Sequence, residues 1–372
     1  MSEHRALKNF CLLAGLILVV AIGVHLLLPR RELGQPQAAK DQAASARLPK
    51  AGVRRPAPLR LAVTPSDVPP AAAASDMAKM LRGAEHSVKV AREDLEKYLA
   101  ESRRTAASLL AAFQASEDAA YLKEAAAGFP GDPRVQLAVL MNNAFPEERR
   151  KWLERFKQSA PDNSLASYLS AHEHLQQGRF EEAINDLLDA SQRPRFQHYA
   201  LEGMQDMQDL LLAAGKSPAE AKVMSMLGAP LPHLAKMKQL AFKMADMQSQ
   251  YNGMGDAQSF DAVTQIGLTL ARRMNGSEGG KFIIDQLVGI AIESQFLKAC
   301  DPASTPEPLG MPVKDRLEDL AQQKAEMKRL APLVDALSSR GSEAELISYF
   351  DRVKLEGEVA ALRWLEARRG GQ

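Results

Sequence analysis

Cysteine is nearly absent from this 372-residue chain, which contains only Cys11 and Cys300. Cys11 lies in an apolar run, so the remainder can neither close an internal disulfide nor assemble a multi-cysteine zinc or iron–sulfur site. Aromatic residues are scarce, at 5%, while Ala, Leu, Glu, Gln and Met abound, a balance that favours helix over sheet. Charge of one sign is lacking too. The 47 Lys and Arg against 46 Asp and Glu leave a net charge of +1, which gives no global drive toward nucleic acid. The 46% hydrophobic and 25% charged fractions are those of a globular chain, long enough for one large or two ordinary domains.

Recognisable catalytic groupings are missing as well. There is no GxSxG elbow, no spaced cysteine cluster and no calcium loop. His172-Glu173-His174 resembles a ligand pair, but residues two apart on a helix point in different directions, whereas metal-binding histidine pairs use spacing four. It is read as a solvated helix face. Asn275 to Lys281 (NGSEGGK) falls short of a phosphate loop. Gly276 to Gly280 is one residue too short, Phe282 replaces the Ser or Thr, and no strand precedes it. That stretch reads as a helix cap and turn, as does Tyr251 to Asp256. Acidic pairs Glu147-Glu148 and Glu181-Glu182 fall at helix starts, where the dipole favours negative charge. The sequence therefore names no catalytic residue, no cofactor-binding residue and no metal ligand, and implies no cofactor.

The features that are present begin with an apolar run. Phe10 to Leu28 (FCLLAGLILVVAIGVHLLL) carries no Asp, Glu, Lys or Arg, and about 20 residues span a bilayer core. Arg5 and Lys8 precede it and Pro29, Arg30 and Arg31 end it. A cleaved signal peptide with Ala21-Ile22-Gly23 as its site is the alternative, but the run continues past that point to Leu28. The expectation is a basic tail (residues 1–9) and a retained single-pass anchor (10–28) in the cell membrane. The basic residues after the span, Arg30, Arg31, Lys40 and Arg47, argue for a cytoplasmic bulk by the positive-inside rule. A span this close to the start normally exports the chain behind it, so the bulk is expected outside the cytoplasm. Residues 29–75, rich in Pro, Ala and basic residues, read as a disordered tether, with contact to anionic lipid as a second role.

Met77, Leu81, Ala84, Val88, Ala91, Leu95 and Tyr98 recur at steps of four and three, a heptad seam that predicts one long helix over 76–104. It can self-associate as a short coiled coil or pack on the domain behind it; intramolecular packing is the simpler expectation. Pro130, Pro161, Pro194 and Pro230 then punctuate pairs of helix-length amphipathic segments, the spacing of stacked helical hairpins.

The stretch Pro161 to Pro194 resembles a tetratricopeptide repeat. Ala171 stands where that family packs a small residue between its helices, Gly178 takes the turn, and Phe180 opens the second helix. Ala183, Leu187 and Ala190 form the packing stripe, with Pro194 near the closing proline. Ser167, Ser170 and His174 depart from the family's preferred Trp, Leu and Tyr. The resemblance covers about one repeat and implies helical hairpins across 105–230. Beyond it, residues 231–372 predict further helices, near Leu231 to Tyr251, Asp256 to Asn275, Glu278 to Ala299 and Lys314 to Ala331. Phe282 to Ile292 is expected as a buried central helix rather than a strand. Two short helices should meet near Gly357, anchored by Tyr349, Phe350 and Trp364. The methionines between Met204 and Met254 are expected to fill core gaps.

The expectation is an all-α protein: a transmembrane helix, a disordered linker, tetratricopeptide-like hairpins and a C-terminal helical bundle. Such an architecture implies a membrane-held interaction module with a protein or peptide partner. A cell-envelope enzyme with acid–base residues dispersed in sequence, and a self-associating spacer, are the alternatives.

Overall fold

In the computed structural model the described residues are 90–370, apart from 228, 230, 277 and 278. The anchor expected at 10–28, the tether at 29–75 and residues 76–89 of the heptad segment lie outside them. No helix among the described residues is long and apolar enough to cross a membrane.

The described residues are all-α; pairing of the strand type is confined to an isolated bridge between Asn163 and Arg195. Helices α1 (Arg92–Glu101), α2 (Ala106–Ser116), α3 (Ala119–Gly128), α4 (Pro133–Met141) and α5 (Arg149–Ser159) come first. Their starts are set by side chains. Thr105, Asp118 and Asp132 accept the backbone N–H groups that open α2, α3 and α4, each cap contributing about 1 kcal/mol. Leu95 and Leu99 of α1 are buried while Ala91 is exposed. Ala91 is the extended residue before α1, and α1 packs on α2 and on a later helix of the same chain.

Helices α6 (Leu165–Gln176) and α7 (Phe180–Gln192) form the hairpin that resembles the repeat. Ala171, Ala183 and Ala190 are fully buried, which lets the two axes approach closely. Gly178 turns the chain at φ +72°, a conformation that costs glycine nothing. Phe180 opens α7 but is 57% exposed. The departures from the repeat pattern have partners. Ser167 donates to Asp189 at 2.5 Å and Ser170 accepts from Arg150 at 2.8 Å; buried polar bonds replace apolar packing there.

Three helix pairs do fall between the four prolines: α4 with α5, α6 with α7, and α8 (Ala200–Ala213) with α9 (Pro218–Leu227). The stacking is not continued by the third. Residues 195–197 run extended against 162–164, where Ser164 N–H donates to the Arg195 carbonyl at 2.9 Å and Asn163 Nδ2 to that of Gln197 at 2.8 Å. That splice redirects the chain, and α8 returns to pack on α1 and α2.

The hairpin face left free is covered by α10 (His233–Met254), α11 (Ala257–Asn275) and α12 (Ile283–Leu297). Here α10 packs on α6, α11 packs on α7, and α12 packs on both α10 and α11. Gly267 makes room for the Phe296 ring, and Gly289 lets α12 approach the Ala271 carbonyl; a Cβ at either would clash. The run from Phe282 is a buried helix, as its stripe predicts. Five of the clustered methionines (Met204, Met207, Met237, Met244, Met247) are buried and fill the core, whereas Met254 is exposed. Helix α13 (Val313–Leu330) comes next, then α14 (Pro332–Arg340), which the sequence pattern did not separate from its neighbour, and α15 (Glu343–Glu356) and α16 (Glu358–Gly370), which meet at Gly357. Tyr349 is buried, but Trp364 is only half-buried, flanked by the Arg352 and Arg368 guanidinium groups at 4.7 and 5.7 Å.

Candidate functional site

The sequence points first to His172 and His174, and the fold corrects that expectation. Neither lies on a solvated face; both are buried, because α6 is covered by α5, α7 and α10 together. They do diverge, as a spacing of two requires. His172 Nε2 faces Gln239 of α10 at 3.0 Å, and His174 Nε2 faces Arg150 of α5 at 2.7 Å. Both are pushed below the ordinary histidine range by burial, His174 also by the Arg150 charge. These are structural histidines. The Asn275 to Lys281 stretch, described apart from 277 and 278, joins α11 to α12 as a turn. Gly280 N–H donates to the Gly276 carbonyl at 2.7 Å.

Three side chains that the sequence did not single out meet elsewhere. His198 comes from the extended segment before α8, His233 is the first residue of α10, and Asp285 lies in the first turn of α12. Each is placed by local chemistry. The splice to residues 162–164 fixes the segment carrying His198. Gly279 holds the α11–α12 turn against that segment: a Cβ there would lie 2.4 Å from the Arg273 carbonyl and 2.9 Å from the Phe196 ring. Asp285 reaches back to the start of its own helix, where Phe282 N–H donates to Oδ2 at 3.2 Å, half of a capping box.

The imidazoles of His198 and His233 stack with centroids 4.3 Å apart and planes 14° apart. His198 Nε2 lies 4.0 Å from Asp285 Oδ2, and His233 Nε2 lies 4.0 Å from Oδ1. One ligating atom from each of the three falls within 4.8 Å of the others. The side chains are 5%, 3% and 1% exposed. Nε2 of His233 and Oδ1 of Asp285 have no hydrogen-bond partner, although an unmade bond on a buried polar atom costs about 1–3 kcal/mol.

Burial dominates the electrostatics. It drives His198 down to about 4, against the backbone at Gly279, and His233 well below its ordinary range, with His198 adding to the effect. It lifts Asp285 to about 8, opposed by the Phe282 N–H and assisted by the Glu358 charge. The cluster thus holds neutral imidazoles beside a carboxyl group that is reluctant to ionise.

His198 and His233 also stand on the wall of a cavity of about 650 Å³ between α2, α3, α4 and α8. Leu110, Leu122, Leu137, Met141 and Met204 give it an apolar lining. Arg134 and Asp206, both on its wall, form an ion pair at 3.1 Å, and burial raises the Asp206 carboxyl despite Arg134. A pocket of this size, apolar with a few convergent polar groups, has the form of a small-ligand or side-chain site.

No sequence motif predicts this meeting, since the three residues belong to three separate segments joined by the splice and the turn. The acid three residues beyond the Phe282 helix start was the one local signal, and it points to a cap. Compared with protein families, with curated proteins and with solved structures, the chain matches none.

Proposed function

We propose that this chain is a membrane-held interaction protein. On this reading a tetratricopeptide-like helical body, tethered by residues 29–75 to a span at 10–28 and lying outside the cytoplasm, receives a short segment of a partner protein in the α2–α3–α4–α8 cavity. The carrying observation is that cavity: an apolar lining for one or two partner side chains, with the Arg134–Asp206 pair to fix polar backbone or side-chain atoms. A photo-crosslinking residue at Met141, in the full chain and in its native membrane, should trap a discrete partner. The substitution Leu137→Trp, which fills the cavity, should abolish the adduct. A crosslink pattern indifferent to Leu137→Trp sinks the proposal. A reporter fused after Gln372 tests the orientation.

A second reading, the cell-envelope enzyme, is favoured by one observation: the cavity wall collects His198, His233, Arg134 and Asp206 from separate segments. Turnover of a model substrate by the purified full chain, lost in His198→Gln, would support it over the first. The spacer reading, through Met77 to Tyr98, predicts concentration-dependent sedimentation.

A further inference from the structure

We infer that His198, His233 and Asp285 form a binding site for one divalent transition-metal ion of the zinc type, held at the cavity wall. This goes beyond the partner reading and does not depend on it.

The donor set comes first. Two imidazole nitrogens and one carboxylate oxygen are the ligands of zinc and its first-row neighbours, not of calcium or magnesium, which take oxygen. The orphaned atoms are the second point. His233 and Asp285 are 2% and 0% exposed, and their unpartnered Nε2 and Oδ1 are the atoms that face each other at 4.0 Å. That gap is too long for a hydrogen bond and leaves room for an atom between the two groups. The third point is orientation from outside the ligand set. The Phe282 N–H holds Oδ2 and leaves Oδ1 free, as a metal site's supporting hydrogen bonds do. The fourth is access, because both histidines line the cavity, giving an entry path and an open coordination position.

Ligands in a tetrahedral shell at about 2.0–2.1 Å lie roughly 3.4 Å apart, so binding must draw the three groups inward by up to about an ångström. The parallel imidazoles must also fan apart to aim both lone pairs at one point. The rival occupant is a buried water bridging the same three groups, which would satisfy the atoms without any metal.

The test uses the full chain in mild detergent, purified without a histidine tag and stripped with a chelator. Cobalt(II) should bind at one ion per chain and give the visible absorption of a four- or five-coordinate site, and zinc should displace it. His233→Gln and Asp285→Asn should each weaken binding at least about a hundred-fold, whereas His172→Gln should leave it unchanged. Absence of stoichiometric cobalt binding by the wild-type chain overturns the inference in favour of water, and needs no variant to fold. Binding that survives both ligand substitutions, or that is lost with His172→Gln, overturns it as well.

Discussion

At opposite ends of α12 the protein buries two carboxylates and treats them differently. Glu293, in the later turns, is fully buried, and Arg316 of α13 grips it with two bonds, Nε to Oε1 at 2.6 Å and Nη2 to Oε2 at 3.0 Å. Asp285, in the first turn, is equally buried, yet among the described residues no Lys or Arg forms an ion pair with it; its ionisable neighbours are the two histidines at 4.0 Å and Glu358, whose charge opposes its ionisation. A buried charge costs several kcal/mol to desolvate unless it is paired and bonded. The Glu293 end meets that cost with a planar guanidinium and reads as structure, docking α13 on α12. The Asp285 end has no such partner, holds a carboxyl group reluctant to ionise beside the cavity-lining histidines, and reads as a site.

The comparison breaks most visibly if Glu293 is made to resemble Asp285. Arg316→Ala strands a buried carboxylate and should destabilise the chain by about 3–5 kcal/mol, measured by urea unfolding of the full chain in detergent. Adding Glu293→Leu to Arg316→Met should recover most of that loss, because removing both charges also removes the desolvation cost. A loss below about 1 kcal/mol for Arg316→Ala would show that the pair does not hold the two helices together.

The two ends were unequally legible in sequence. Apolar stripes at helical spacing place α10 to α13 within a few residues, because periodicity records which face is buried. The Ala171, Gly178 and Ala183 pattern likewise predicts the α6–α7 hairpin, since close packing and a left-handed turn each admit few residue types. The pattern does not record the return of α8 to α2, decided by hydrogen bonds between residues 162–164 and 195–197. Without that return the His198–His233–Asp285 meeting has no local signal, and the solvated-face expectation for His172 and His174 fails because α10 covers the one and α5 and α7 cover the other. Long-range placement, not local propensity, carries the site.

A third carboxylate sharpens the contrast by its pH behaviour. Glu358 opens α16, and its carboxyl group is turned inward to accept the Ile283 N–H at 2.7 Å, at the start of α12. Burial raises its pKa against the bonds from Ile283 and Tyr349. The folded chain therefore holds this proton more tightly than the unfolded chain does. Its contribution to stability is complete below the unfolded value of about 4.3, and is lost as pH rises from there through the folded value. The slope reaches at most ~1.4 kcal/mol per pH unit. Glu358→Gln, which keeps an acceptor for Ile283, should flatten that part of the stability–pH curve. An unchanged slope in thermal melts across the same range would remove Glu358 as its cause.

The smallest effect is expected where the sequence change looks most severe, at Asp285 itself. Asparagine keeps the side-chain volume and an oxygen for the Phe282 N–H, and its amide nitrogen can donate to the facing Nε2 of His233. No cation is stranded, because among the described residues no Lys or Arg is paired with Asp285. In chelator-treated protein Asp285→Asn should therefore shift unfolding by less than about 1 kcal/mol in either direction, while the same change weakens cobalt binding at least about a hundred-fold. Buried residues kept for packing lose stability when replaced; buried residues kept for a ligand lose the ligand. A loss of several kcal/mol in the metal-free variant would place Asp285 with Glu293, as a structural carboxylate whose partner is the helix start alone.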